Sequence, residues 1–227
     1  MMHEQIIGAR ARARARAWAT AACCVLALAG LPASAWGQAA EEFARADKLV
    51  REGEVVRALP ILRRLSDAGY APAQARLGQL LDTAEENEAA AALYRKAAEQ
   101  GDADGAYGLG AMYASGDGVT SDPAQALRWM RLAAEKGHVQ AVSFLAQAYF
   151  ARDSLLKAEP DFDAQAVRWA ERAAQTGFVP AMDALARAYR EGAYGLAPDP
   201  ARAQVWAERA RAARRAVASG SAPEKKP

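Results

Sequence analysis

The strongest constraint on this chain is a period. Four glycines, Gly69, Gly101, Gly137 and Gly177, follow one another at separations of 32, 36 and 40 residues. Each sits in the same pattern. Eight residues on stands leucine (Leu77, Leu109, Leu145, Leu185), and the next residue is small (Gly78, Gly110, Ala146, Ala186). Twelve residues on stands Leu81, Tyr113, Tyr149 or Tyr189. Eight residues back is a bulky apolar residue (Ile61, Leu93, Trp129, Trp169), and eleven back is alanine (Ala58, Ala90, Ala126, Ala166). A degenerate fifth unit closes the series with Ala203, Trp206 and Ala210. A chain with a period of this length folds as stacked supersecondary units, because no single unit can bury its apolar face alone.

The offsets are helical. Leucine and ring are four residues apart, one turn, so they share a face. Alanine and tryptophan in the second segment are three apart and do the same. Ala97-Ala98, Ala133-Ala134 and Ala173-Ala174 end each second segment, and the anchor glycine follows where a left-handed C-cap forms readily. Asp122-Pro123 and Asp199-Pro200 supply an N-cap with proline at the first helical position. No stretch alternates with the strand period. Each unit therefore reads as helix–turn–helix, and the fold class is all-α.

These residues resemble the Sel-one-like repeat, a relative of the tetratricopeptide repeat. The stretch from Ala106 to Gly137, AYGLGAMYASGDGVTSDPAQALRWMRLAAEKG, carries the family pattern most fully, and Lys96 to Gly101 reads as its closing motif. The resemblance covers about residues 43–213. It implies a right-handed α-solenoid over 43–216, with hairpins at about 43–68, 69–100, 101–136, 137–176 and 177–216. The unit at 69–100 lacks the glycine loop, and Ala151 to Asp163 lengthens the loop of the fourth hairpin. Pro60 falls inside the second helix of the first hairpin, where a kink is expected.

The N-terminal 35 residues read differently. Arg10, Arg12, Arg14 and Arg16 precede an apolar run, Trp18 to Leu31, which ends in Pro32 and the small residues Ala33-Ser34-Ala35. That order is a secretory signal peptide. The run is too short for a bilayer that needs roughly 20 residues. Cys23 and Cys24 lie inside the run, whereas a lipidated cysteine would follow it, and the arginines never pair as a twin-arginine signal requires. Cleavage is expected near Ala35, with Gly37 and Ala39 as alternatives, followed by a short linker at 36–42. A disordered tail is expected at 217–227. The exported form is then periplasmic or secreted, with no stable membrane insertion.

Cleavage also changes the electrostatics. The full chain has 29 basic and 27 acidic residues; residues 1–35 hold four arginines and one glutamate, so 25 and 26 remain. The basic excess belongs to the signal, and nucleic-acid binding is not expected. Both cysteines leave with it, and His138 is the one histidine left.

That composition argues against an enzyme, because a catalytic or metal site needs a cluster of suitable groups. Cysteine nucleophiles and Cys/His zinc sites are excluded, and no cofactor is expected. His138 follows an anchor glycine and reads as a capping or surface residue. Asp102-Ala103-Asp104-Gly105 and Ser115-Gly116-Asp117-Gly118 lack the twelve-residue loop and closing glutamate of a helical calcium site. Glu85-Glu86-Asn87-Glu88 reads as an acidic helix start, favoured by the dipole. Arg209, Arg211, Arg214 and Arg215 read as a solvated helix end, and Trp129, Trp169 and Trp206 as core.

In tetratricopeptide-like arrays the first helices line a concave surface. Carried over, the outward positions are six, ten and thirteen after each anchor. They place Tyr107, Gln147, Phe150, Arg187 and Arg190 on one face, and rings with arginines are frequent interface anchors. The resemblance thus implies a scaffold or regulator that binds a protein of the cell envelope. The alternative is a glycan-binding or cell-wall-active envelope protein.

Overall fold

The structure, a computed structural model, describes residues 33–154, 156, 159 and 161–219. Ten helices make up the described residues, and no strand occurs among them. The chain divides into two compact units, 1–61 and 62–227.

The described part of the first unit is α1, Ala33–Arg51, and the start of α2, Val55–Asp67. Ala46 and Ala58 are fully buried in it. The linker expected at 36–42 is helical, because α1 runs through it. The sequence there, Trp36 to Glu42, holds no proline and only one glycine, so nothing breaks the helix. Most of the expected signal peptide lies outside the described residues. Helix α2 continues through Pro60. Pro60 withholds the N–H that Val56 would accept, and Val56 is 84 % exposed, so water can meet that carbonyl.

The second unit carries the repeats as helical pairs: α3 (Ala71–Thr83) with α4 (Asn87–Glu99), and α5 (Ala103–Ser115) with α6 (Pro123–Glu135). Then follow α7 (Val139–Phe150) with α8 (Phe162–Gln175), and α9 (Val179–Glu191) with α10 (Pro200–Ala218). Each helix packs on its neighbours in sequence, and the first helices also meet one another, α3 on α5 and α7 on α9. This is the stacking of an α-solenoid. Residues 217 and 218, expected in the tail, belong to α10; residues 220–227 lie outside the described set.

The anchor glycines do what the sequence demanded of them. Gly69, Gly101, Gly137 and Gly177 have φ between +83° and +94°, a region where a side chain would be strained. The residue after each returns its N–H to a carbonyl five back, as in Asp102 to Ala97 at 3.0 Å and His138 to Ala133 at 3.0 Å. That is the bond of a Schellman turn, and it fixes the angle between consecutive units.

The core follows the repeat with one shift. Leu109, Leu145 and Leu185 are fully buried, and so are the alanines eleven before each anchor, apart from Ala126 at 5 % exposure. In the second helices, however, the position that is buried in every unit is seven before the anchor: Leu62, Tyr94, Met130 and Ala170. Of the residues eight before, only Trp169 is buried, at 1 % exposure. Trp129 and Trp206 are half-buried, with Arg128 and Arg209 guanidiniums 5.2 and 4.8 Å from their rings. A helix places adjacent residues about 100° apart, so both positions border the seam, and at Trp169 and Ala170 both are buried.

Candidate functional site

Helix starts set the local geometry. The residue after each anchor glycine is the N-cap of the next first helix: Tyr70, Asp102, His138 and Phe178. Asp102 accepts from the Gly105 N–H at 2.8 Å, and burial pushes its carboxyl upward while that bond opposes the shift. His138 caps α7 through Nδ1, which accepts from the Ala141 N–H at 3.3 Å. Its Nε2 lies 3.5 Å from Asp104, and its ring stacks on Tyr107 at 4.2 Å. Burial lowers the His138 pKa, against the pull of Asp104 and Asp102. The capping role read from its place in the repeat is the one observed. Phe178, like Tyr70, supplies no side-chain bond, so a ring occupies a cap position that Asp102 and His138 fill with a polar acceptor.

That ring borders a groove between α7 and α9. A cavity of about 350 Å³ is lined by Ala146, Gln147 and Phe150 on one side and Phe178, Pro180 and Ala184 on the other. A second cavity of about 340 Å³ adjoins it, sharing Phe150 and Ala184 and adding Arg152, Arg187, Glu191 and Tyr194. Phe150 stands edge-on to Tyr194 at 5.1 Å, and the Arg152 guanidinium lies 5.3 Å from the Tyr194 ring. One half of the groove is apolar and the other carries two guanidiniums and one carboxylate.

The floor behind Phe150 is held by a polar network. The Tyr149 hydroxyl donates to Glu159 at 2.6 Å, and Arg131 donates to Tyr149 at 3.1 Å and also to Glu159. Burial and the bond to Glu159 push the Tyr149 hydroxyl up to about 12. Leu156 is fully buried beneath the same loop. The long insertion after α7 is therefore tied down at Leu156 and Glu159.

Of the five residues expected on one face, the structure brings three together. Gln147, Phe150 and Arg187 line the groove. Tyr107 lies on α5 and spends its ring on His138. Arg190 is exposed on α9 and lines neither cavity. The spacing rule missed Phe178, Pro180, Arg152 and Tyr194, which come from a cap, the first turn of α9 and two loops. The signal for Phe178 was present: a ring one residue after an anchor glycine, where aspartate and histidine stand in the two preceding units.

The remaining chemistry is sparse. Among the described residues no group of three or more His, Cys, Asp or Glu could hold a metal ion. None of their helices is long and apolar enough to cross a membrane. Glu85, Glu86 and Glu88 face solvent at the start of α4, with Gly118 close by.

Four consecutive stretches, 71–102, 103–138, 139–178 and 179–213, match the family model described as Sel1 repeat. Among solved structures the chain is similar to a Sel1 repeat protein from Oxalobacter formigenes, at 27 % identity and a TM-score of 0.63, over 79 % of this chain and 75 % of that one. It is also similar to a protective antigen of uropathogenic Escherichia coli that displays an SLR fold. There the identity is 28 % and the TM-score 0.63, over 79 % of this chain and 39 % of the other. No curated protein matches.

Proposed function

The chain belongs to the Sel1 repeat family, whose members generally mediate protein–protein interaction, and from that premise we propose an exported scaffold that binds a protein of the cell envelope on the face made by its first helices. The observation that carries this reading is the groove between α7 and α9. It is an apolar concavity with the guanidiniums of Arg152 and Arg187 at its edge, built mainly on two helices. Such a surface binds; it offers no paired acid and base and no nucleophile beside a base, so binding rather than catalysis is the proposed role.

Export rests on the N-terminal signal of a basic front, a short apolar run and Ala33-Ser34-Ala35. The glycan-binding alternative would use exposed tryptophan faces. Trp129 and Trp206 instead have arginines stacked near their rings, which weighs against it.

Both parts are tested by expressing the full chain with a C-terminal tag. N-terminal sequencing of the envelope form should begin between residues 36 and 40. Crosslinking in envelope extracts should enrich one protein, and Phe150→Ala should abolish that enrichment. A chain that stays in the cytoplasm with Met1 intact, or that retains polysaccharide and no protein, overturns the proposal.

A further inference from the structure

The groove carries more information than its presence. Its two halves differ in chemistry and share Phe150 and Ala184, so they abut. Resting on the scaffold reading above, we infer that the occupant is a segment of the partner protein in which a bulky apolar side chain is followed within a few residues by aspartate or glutamate.

The apolar half selects the first feature. Phe150, Phe178, Pro180 and four alanines present carbon, and the one polar side chain there, Gln147, is turned to its own helix and donates to Ser143 at 3.3 Å. A polar group seated in this half would lose its water and gain little in return.

The other half selects the second feature by charge. Arg187 is exposed, and neither it nor the neighbouring Arg190 has a hydrogen bond or ion pair among the described residues. Arg152 lies near the rings of Tyr194 and Phe162 and forms no ion pair among the described residues. The acids that could neutralise them are otherwise placed. Asp183, on the same helix, is paired with Arg214 of α10. Glu191 lines the cavity but comes within 4.0 Å of neither guanidinium. The local balance is thus cationic. A guanidinium beside an apolar wall is weakly hydrated and presents a fork that matches a carboxylate in two bonds.

A defined probe tests this. The full exported chain is titrated into a fluorescein-labelled ten-residue peptide with one central leucine followed by two aspartates, amidated at its C-terminus. Two control peptides replace the aspartates by lysines, or the leucine by alanine. The acidic peptide should bind, and each control should bind at least about tenfold more weakly, a difference of about 1.4 kcal/mol. Arg187→Glu should invert the preference toward the lysine peptide, and raising the salt should weaken the acidic complex. Arg187 is exposed, so the variant's melting temperature serves as a fold control and should match the wild type. Equal binding of acidic and basic peptides, insensitivity to Arg187→Glu, or no binding of the acidic peptide at about 1 mM overturns the inference. Envelope crosslinking decides the scaffold reading separately: a captured partner lost in Phe150→Ala keeps that reading even when the acidic peptide fails.

Discussion

Two parts of the same repeat solve the packing problem in opposite ways. Around α4, the Tyr94 ring lies between two glycines, Gly78 of α3 and Gly108 of α5. A Cβ at Gly78 would stand 3.1 Å from that ring, and one at Gly108 only 2.5 Å. Around α8 the equivalent positions, seven before and seven after the anchor, are Ala170 and Ala184. Between them, at α6 and α7, stand Met130 and Phe144. At the first of these anchors a large ring sits where two side chains are absent; at the next, buried Met130 is matched in register by Phe144, which is 41 % exposed; at the last both residues are small. Side-chain volume is withheld at one place, and there, beside Ala184, the groove opens. A stacked array fills its seams by complementary sizes; a small residue on the groove wall, Ala184, leaves room for something that is not part of the chain.

The sharpest way to break this comparison is at the filled seam. Gly108→Ala puts a methyl 2.5 to 2.7 Å from three atoms of the Tyr94 ring, closer than packed atoms tolerate. Alanine is the better helix former by about 1 kcal/mol, so propensity alone predicts a gain. Overpacking a seam costs typically 1–3 kcal/mol and acts against it, and a net loss of up to about 2 kcal/mol is expected. Thermal unfolding should show a melting temperature lower by about 4 °C. Combining it with Tyr94→Leu, which removes the ring edge, should return part of that loss. A Gly108→Ala chain as stable as the wild type would show that the seam is slack.

The empty seam should respond in the other sense. Ala184→Leu adds three carbons to the shared wall of both cavities without meeting a packed core, because Ala184 is only half-buried. Stability should move by no more than about 0.5 kcal/mol. Capture of the partner should fall about tenfold, because the space for the apolar anchor is gone. Loss of stability comparable to Gly108→Ala would mean that α7 and α9 are packed as tightly there as α4 and α5.

How much of this was legible in the sequence depends on the kind of residue. The anchor glycines, the leucines eight after them and the alanines eleven before them are set by a helical period and a left-handed turn. A local rule reads them, and the structure keeps all of them. The tryptophans were less legible. Trp129 and Trp169 occupy one repeat position, yet Trp129 is half-buried beside buried Met130 whereas Trp169 is buried together with Ala170, because neighbouring helices, not the period, decide how much of each ring is covered. The groove was half legible. Gln147, Phe150 and Arg187 follow from the face of a first helix. Phe178, Arg152 and Tyr194 arrive from a cap and from two loops, whose paths depend on tertiary anchors such as Leu156 and Glu159.

The smallest effect separates the two kinds of helix start. Asp102 and His138 cap consecutive first helices, but only the histidine loses its acceptor when it takes up a proton, since Nδ1 is the atom that receives the Ala141 N–H. Burial lowers the His138 pKa from its ordinary 6.5, with Asp104 and Asp102 opposing. As pH falls, the unfolded chain therefore binds this proton before the folded one does. The contribution is intact above about pH 6.5 and drains away as pH falls through the folded value. A lost N-cap costs about 1 kcal/mol, which bounds the effect. His138→Asn keeps an acceptor at the cap and does not titrate. Melting temperatures measured from pH 7.5 down to 5.5 should therefore fall for the wild type relative to the variant, while carboxylates common to both cancel. Parallel curves would mean that the charged ring finds compensation in Asp104, whose oxygen lies 3.5 Å from Nε2.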